Sequence, residues 1–322
     1  MDTTDNRDKP PLDPVIADME RKWRDSGIPG IYAGGSGPVS RERARNIRAL
    51  LYPKPKLPMG RIERAAIAGP NGPIALEIVW PVDGEPIGTL VYFHGGGFII
   101  GDIDSHQAHA IRFANTAQVV VVNVDYRLAP EHPFPQGVDD AIAAMQWAAR
   151  NPGRLAGADK PLAVGGDSAG GNFAAVAAIV ARDSGIELAA QALLYAVTDM
   201  VGEGNPDIRQ AYFGDEYETH CRSFKASPVL AALTGVAPAI MAVGAHDFLY
   251  RDNTAFAAAL RAADVPLLWR EFPTLDHGFF SYTAISPVCA AAAEQICRDL
   301  RDRLAAYASA SGATKRAISA ST

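Results

Sequence analysis

Two hydrophobic rhythms divide the chain. Over Val15–Trp23 the apolar residues Val15, Ile16, Met19 and Trp23 keep the spacing of one helix face. A second helix is expected to begin at a Ser40 cap and run to about Leu51, after a Gly/Pro-rich loop from Ile28 through Pro38. Past Pro53, Pro55 and Pro58 the pattern turns to strands. The first two, Ile62–Ile67 and Ile74–Trp80, are joined by the hairpin signal Pro70-Asn71-Gly72. Six more are read at Thr89–Phe93, Val119–Val124, Leu162–Val164, Ala189–Tyr195, Ala239–Val243 and Leu267–Phe272. The later ones are unbroken apolar runs, as in a parallel sheet covered on both faces. Helices predicted over Ser105–Ala117, Val138–Arg150, Ala169–Arg182, Asn253–Ala263 and Pro287–Tyr307 alternate with them. That alternation predicts an α/β fold with a mostly parallel, doubly wound sheet.

Two stretches break the rhythm. Residues 1–55 are helical without strand partners, and about 198–227 is a polar and aromatic insertion between two strands. Both are expected to form a small helical cap on a catalytic domain spanning 56–308, over the C-terminal sheet edge where such folds place their sites. The Ala/Ser/Thr-rich tail, 309–322, is expected to be disordered.

Composition narrows the setting. The chain has 322 residues, 48% apolar and 20% charged, as in a soluble globular protein with a large core. A net charge of -6 argues against a nucleic-acid or anionic-membrane partner. The basic run Arg41–Arg48 is short and interrupted by Glu42, so it reads as a solvated helix face. Cys221, Cys289 and Cys297 are too few for a disulfide framework, and reduced thiols are expected. The polar segment Met1–Asp8 lacks the basic start and apolar run of a signal peptide. No apolar stretch reaches the roughly 18–20 residues of a membrane span. A cytoplasmic protein without stable membrane insertion is expected.

The candidate chemistry begins at Val91-Tyr92-Phe93-His94-Gly95-Gly96-Gly97-Phe98, a strand ending in a glycine loop whose N–H groups can bind an oxyanion. Gly166-Asp167-Ser168-Ala169-Gly170 matches G-x-S-x-G, the strand-turn-helix that exposes a nucleophilic serine. Alone the second motif is weak; the flanking apolar strand and the helix after it strengthen it. The Walker and dinucleotide patterns both fail here, so no phosphate-binding cofactor is expected.

Serine needs a histidine base, and seven histidines compete: His94, His106, His109, His132, His220, His246 and His277. In the chain order Ser, acid, His, the loop after the last strand favours His277, and the end of the preceding strand favours Asp247 as the acid. Asp252 reads as a helix cap instead. His94 reads as support for the glycine loop. His106 and His109 have i, i+3 spacing but no third ligand, so they are taken as surface residues and no metal is expected.

With His94-Gly95-Gly96-Gly97-Phe98, Tyr126-Arg127-Leu128-Ala129-Pro130-Glu131-His132-Pro133-Phe134-Pro135, Gly166-Asp167-Ser168-Ala169-Gly170-Gly171, Asp247-Phe248-Leu249 and His277-Gly278-Phe279 in order, the chain resembles the bacterial hormone-sensitive-lipase-like esterases, α/β-hydrolases of the GDSAG subgroup. The resemblance covers roughly residues 15–305. It implies a triad of Ser168, Asp247 and His277, an oxyanion hole from the N–H groups of Gly96, Gly97 and Ala169, and a helical cap over the acyl pocket. It implies hydrolysis of short- to medium-chain acyl esters through an acyl-enzyme, with a small-molecule ester as partner. Many family members are dimers, so a homodimer is compatible with it. One departure stands out: the family usually reads D-P-L-x-D at the acid, whereas Phe248 replaces the proline here and Asp252 is displaced by one. Position alone offers Phe98, Tyr212, Phe213 and Phe279 as pocket walls, with core packing as an equal alternative. Two further readings stay open. An arylformamidase-like enzyme would turn the same triad on an amide. A non-catalytic small-molecule receptor, like the plant gibberellin receptors of similar sequence, would lack the histidine that His277 supplies.

Overall fold

In the computed structural model, which describes residues 9–34, 37–202 and 204–319 and side chains as far as Ser311, the expected strands assemble into one eight-stranded sheet. The polar segment Met1–Asp8 lies outside the described residues. The strands are β1 (Ile62–Gly69), β2 (Gly72–Val79), β3 (Gly88–Phe93), β4 (Val119–Asp125), β5 (Leu162–Asp167), β6 (Ala190–Leu194), β7 (Ala239–Gly244) and β8 (Leu267–Phe272). Their spatial order is β1-β2-β4-β3-β5-β6-β7-β8. The two hairpin strands run antiparallel, and every pair from β4 to β8 is parallel.

Unbroken apolar strands follow from two covered faces. In β3, Val91 and Phe93 enter the core beneath α4 (Gln136–Arg150) and α5 (Ala169–Asp183). Leu90 and Tyr92 enter the core beneath α1 (Pro14–Asp25), α3 (Gln107–Ala117) and α9 (Pro287–Ser319). Helix α9 supplies Cys289, Ala292, Ala293, Ile296, Cys297, Leu300 and Leu304, a single stripe at helical spacing. It continues to Ser319, so part of the tail expected to be disordered carries helix; residues 320–322 lie outside the description.

Two expected caps differ. Helix α2 (Gly37–Leu51) begins three residues before Ser40, which is buried within it rather than capping it. Helix α8 (Tyr250–Ala262) starts ahead of Asn253, and Asp252 faces backwards from its first turn. Its carboxylate accepts the N–H and hydroxyl of Thr198, at 2.8 and 2.6 Å, fastening the root of the insertion to α8. Burial raises the Asp252 pKa to about 6, with those hydrogen bonds opposing. The insertion itself carries α6 (Pro206–Phe213), started by the Asn205 side chain accepting from the N–H groups of Asp207 and Ile208.

Helix α5 is buried on nearly all sides, and its small residues let it approach the sheet closely. A Cβ on Gly170 would collide with the carbonyl oxygens of Phe93 and His94. Gly170→Ala is therefore expected to cost about 3 kcal/mol or more, because main chain, not a flexible side chain, must yield. Thermal denaturation of the purified variant checks this; a melting curve matching wild type would contradict it.

Candidate active site

Three parallel strands deliver one residue each to the C-terminal sheet edge. Strand β5 ends at Asp167 and α5 opens at Ala169, leaving Ser168 alone in the turn with φ 53° and ψ -117°. That conformation is strained for a residue with a Cβ and is held by its surroundings. The Ser168 N–H donates to Leu194 O at 2.9 Å, and Ser168 O accepts from Val197 N–H and Asn172 N–H at 3.1 and 3.2 Å. The hydroxyl is thus aimed by the backbone, with the α5 N-terminus beneath it.

His277 Nε2 lies 2.9 Å from Ser168 Oγ, and its Nδ1 lies 3.0 Å from both Asp247 carboxylate oxygens. With Nδ1–H donating to Asp247, Nε2 keeps the lone pair that the serine proton needs. Burial by itself lowers the imidazole pKa, but the Asp247 charge and hydrogen bond outweigh it, and the net shift is upward. The Asp247 side chain is fully buried, and its Oδ1 also accepts Leu249 N–H at 2.7 Å.

The glycine loop stands opposite. Gly96 and Gly97 hold φ of 131° and 58°, and Gly96 O accepts from Ile99 and Ile100 N–H at 3.1 and 3.0 Å. Among the described residues the N–H groups of Gly96, Gly97 and Ala169 donate to no acceptor. Asp167 ties this loop to the serine turn, its Oδ1 accepting Gly95 N–H at 2.9 Å and the Tyr92 hydroxyl at 2.7 Å. His94 stacks on Tyr126 with centroids 4.2 Å apart, and its Nδ1 lies 2.9 Å from Gly95 O. Burial pushes its pKa down to about 3, aided by the neighbouring His106, so it is a neutral strut and no base.

His106 and His109 correct the surface reading. Both are buried, because α3 lies flat on the sheet beside Tyr92. His109 Nδ1 is 3.2 Å from the Tyr92 hydroxyl, and His106 Nε2 is 3.7 Å from Asp167 Oδ2. Burial raises the Asp167 pKa, but the two histidines and Tyr92 reverse this and hold it well below the carboxylate range. Ligand atoms of His106, His109 and Asp167 lie within 4.8 Å of one another, close enough in principle for a metal. Asp167 Oδ1 is already taken by two donors, however, and His106 Nδ1 by Ser105 Oγ at 2.9 Å. These contacts brace the glycine loop from beneath, and Asp167 is the third potential ligand that the spacing of His106 and His109 in the sequence did not show.

The expected pocket walls separate into two places. Phe98 lies face to face with Tyr212, centroids 4.1 Å apart, and Phe213 packs beside Tyr212 and Phe134. All are buried, and this stack clamps the insertion to the glycine loop. Phe279 is fully buried against Tyr195 and Phe272 and stays apart from them. The groups that do overhang the loop are Tyr32 and Ile208: a Cβ on Gly97 would sit 2.9 Å from the Tyr32 hydroxyl and 3.0 Å from Ile208 Cδ1. Neither had a sequence signal, since both fall where the chain has no strand-helix rhythm. Phe248 is also at the site, its ring centre 4.4 Å from that of His277. A groove of about 800 Å³ lined by Thr89, Leu162 and Tyr307 lies at the opposite, N-terminal strand edge, away from these groups.

The chain is similar to known proteins in sequence and in fold. A family described as alpha/beta hydrolase fold matches residues 90–281. Carboxylesterase NlhH of Mycobacterium tuberculosis is 35% identical over 306 residues, covering 88% of this chain and 93% of that protein. Carboxylic ester hydrolase LipN of the same organism is 34% identical over 315 residues, covering 91% and 83%. A hyperthermophilic esterase from the archeon Pyrobaculum calidifontis superposes with a TM-score of 0.84 at 31% identity, covering 91% of this chain and 99% of that one.

Proposed function

Since the chain belongs to the α/β-hydrolase family and is a serine carboxylesterase of the bacterial hormone-sensitive-lipase-like kind, we propose that Ser168 is its nucleophile, His277 its general base and acid, and Asp247 the orienting carboxylate. The observation that carries this reading is the unbroken relay of 2.9 and 3.0 Å from Ser168 Oγ through His277 to Asp247. His277 Nε2 takes the serine proton as Oγ attacks the ester carbonyl. The developing oxyanion is received by the N–H groups of Gly96, Gly97 and Ala169, whose unspent donors support this role. His277 then returns the proton to the departing alkoxide, and a water repeats the sequence on the acyl-enzyme.

Helices α1 and α2 with the 198–227 insertion act as a cap on the 56–308 domain of the GDSAG subgroup. Tyr32 from one cap segment and Ile208 from the other close over Gly97, which supports a shallow pocket for short to medium acyl chains. Among the described residues no helix is long and apolar enough to cross a membrane. Cys221, Cys289 and Cys297 are buried free thiols, in keeping with a cytoplasmic setting.

Rapid mixing with p-nitrophenyl acetate should release a burst of p-nitrophenolate equal to the enzyme present. A p-nitrophenyl phosphonate should transfer its phosphonyl group to Ser168 Oγ as p-nitrophenolate leaves, adding the phosphonyl mass to the peptide carrying Ser168. Attachment elsewhere, or turnover that survives full phosphonylation, would refute the assignment. An acyl panel from acetate to laurate should show kcat/KM falling at the long end.

A further inference from the structure

Phe248 is the most exposed large apolar side chain among the described residues, at 78%. Solvation of an aromatic ring beside a catalytic base calls for a use. Its ring is tilted 39° over one face of the His277 imidazole, with centres 4.4 Å apart. Tyr195, which is buried, meets the imidazole edge-on from a second direction at 5.0 Å. The imidazole therefore has a dry neighbour and a wet one, and Phe248 is the wet one.

Proton balance places the leaving group. The proton that His277 took from Ser168 must pass from Nε2 to the departing oxygen as the C–O bond breaks, so that oxygen lies against Nε2. Whatever it carries leaves the site past the groups flanking the imidazole. The proposed acyl pocket lies toward Gly97, where Tyr32 and Ile208 close the space. Building on the proposed triad, we infer that Phe248 is the wall of the leaving-alcohol subsite and selects esters of flat aromatic alcohols over those of small aliphatic ones.

The wall is stiff without depending on its own packing. Asp247 Oδ1 accepts Leu249 N–H at 2.7 Å, Asp247 O accepts Tyr250 N–H at 3.0 Å, and α8 begins at Tyr250. The turn holds the Phe248 Cα in place, so truncating the ring opens no hole in the core. An aromatic alcohol stacked on this ring gains the area buried on both partners and the preferred offset contact of two rings. A methyl group reaches neither.

Benzyl acetate and methyl acetate test this, because they share the acyl-enzyme and both release an alkoxide. Dividing each variant by wild type cancels their intrinsic reactivities. Phe248→Ala is expected to lower the ratio of kcat/KM for benzyl acetate to that for methyl acetate about five- to tenfold. Phe248→Trp should keep the benzyl preference, and Phe248→Leu should fall between. Equal changes in both substrates, or no change in either, would overturn the inference and leave Phe248 as a shield of the base. Failure of the triad itself has a different signature: Ser168→Ala keeping more than a few per cent of wild-type turnover on both acetates, which would remove the foundation of this subsite as well.

Discussion

Replacing Ser168 by alanine is expected to lower kcat on a p-nitrophenyl acyl ester by about 10⁴- to 10⁶-fold while leaving thermal stability unchanged. The first half follows from chemistry. Without Oγ no acyl-enzyme forms, and the remaining oxyanion donors and bound substrate supply only their residual acceleration. The second half follows from the turn. Ser168 is fixed at φ 53° by hydrogen bonds of its backbone to Leu194, Val197 and Asn172, and alanine occupies that conformation no worse than serine. The side chain caps nothing in α5, so its loss costs no helix. His277→Ala should fall to a similar floor, and the double variant scarcely lower, because the two residues act as one unit. Retention of more than a few per cent of activity by Ser168→Ala would refute the nucleophile assignment.

The sequence made the sheet legible because its signal is strong and local. Parallel strands such as Val119–Asp125 are buried on both faces and so must be apolar throughout, whatever packs on them. The meeting of Ser168, Asp247 and His277, the proposed triad, was legible for a related reason: they follow the ends of β5, β7 and β8, whose order along the chain is fixed by the fold. What stayed hidden depends on the third dimension. His106 and His109 carry no mark of burial, since only the path of α3 across Tyr92 makes them interior. Ser40 looks like a cap, but α2 starts earlier at Gly37. Phe98, Tyr212 and Phe213 did come together, although as a stack joining two distant segments, while Phe279 went to the other face of the sheet. An aromatic residue in a sequence reports apolar area; which cavity or core receives it is decided by partners far along the chain.

The same relay yields a prediction with a defined direction in pH. Asp247→Asn is expected to lower kcat by about 10³- to 10⁴-fold and to move the acid limb of kcat/KM to lower pH. In wild type the limb reports His277, which must be neutral to accept the serine proton. Activity is lost as pH falls through the imidazole pKa, and the raised pKa places that loss above the ordinary histidine value of about 6.5. Burial already pulls the imidazole pKa down, and the Asp247 charge is what overcomes it. Asparagine removes that charge and leaves burial opposed by the smaller effects of Asp276 and Asp167, so the pKa falls. The rate falls for a separate reason. Leu249 N–H, which donates to Asp247 Oδ1 at 2.7 Å, claims the single amide oxygen of asparagine and turns its NH₂ toward Nδ1. Nδ1 must then accept, the proton moves to Nε2, and the lone pair facing Ser168 is gone. A pH–rate profile of the variant separates the two effects. A limb that stays in place or moves upward would show that Asp247 does not set the charge state of His277.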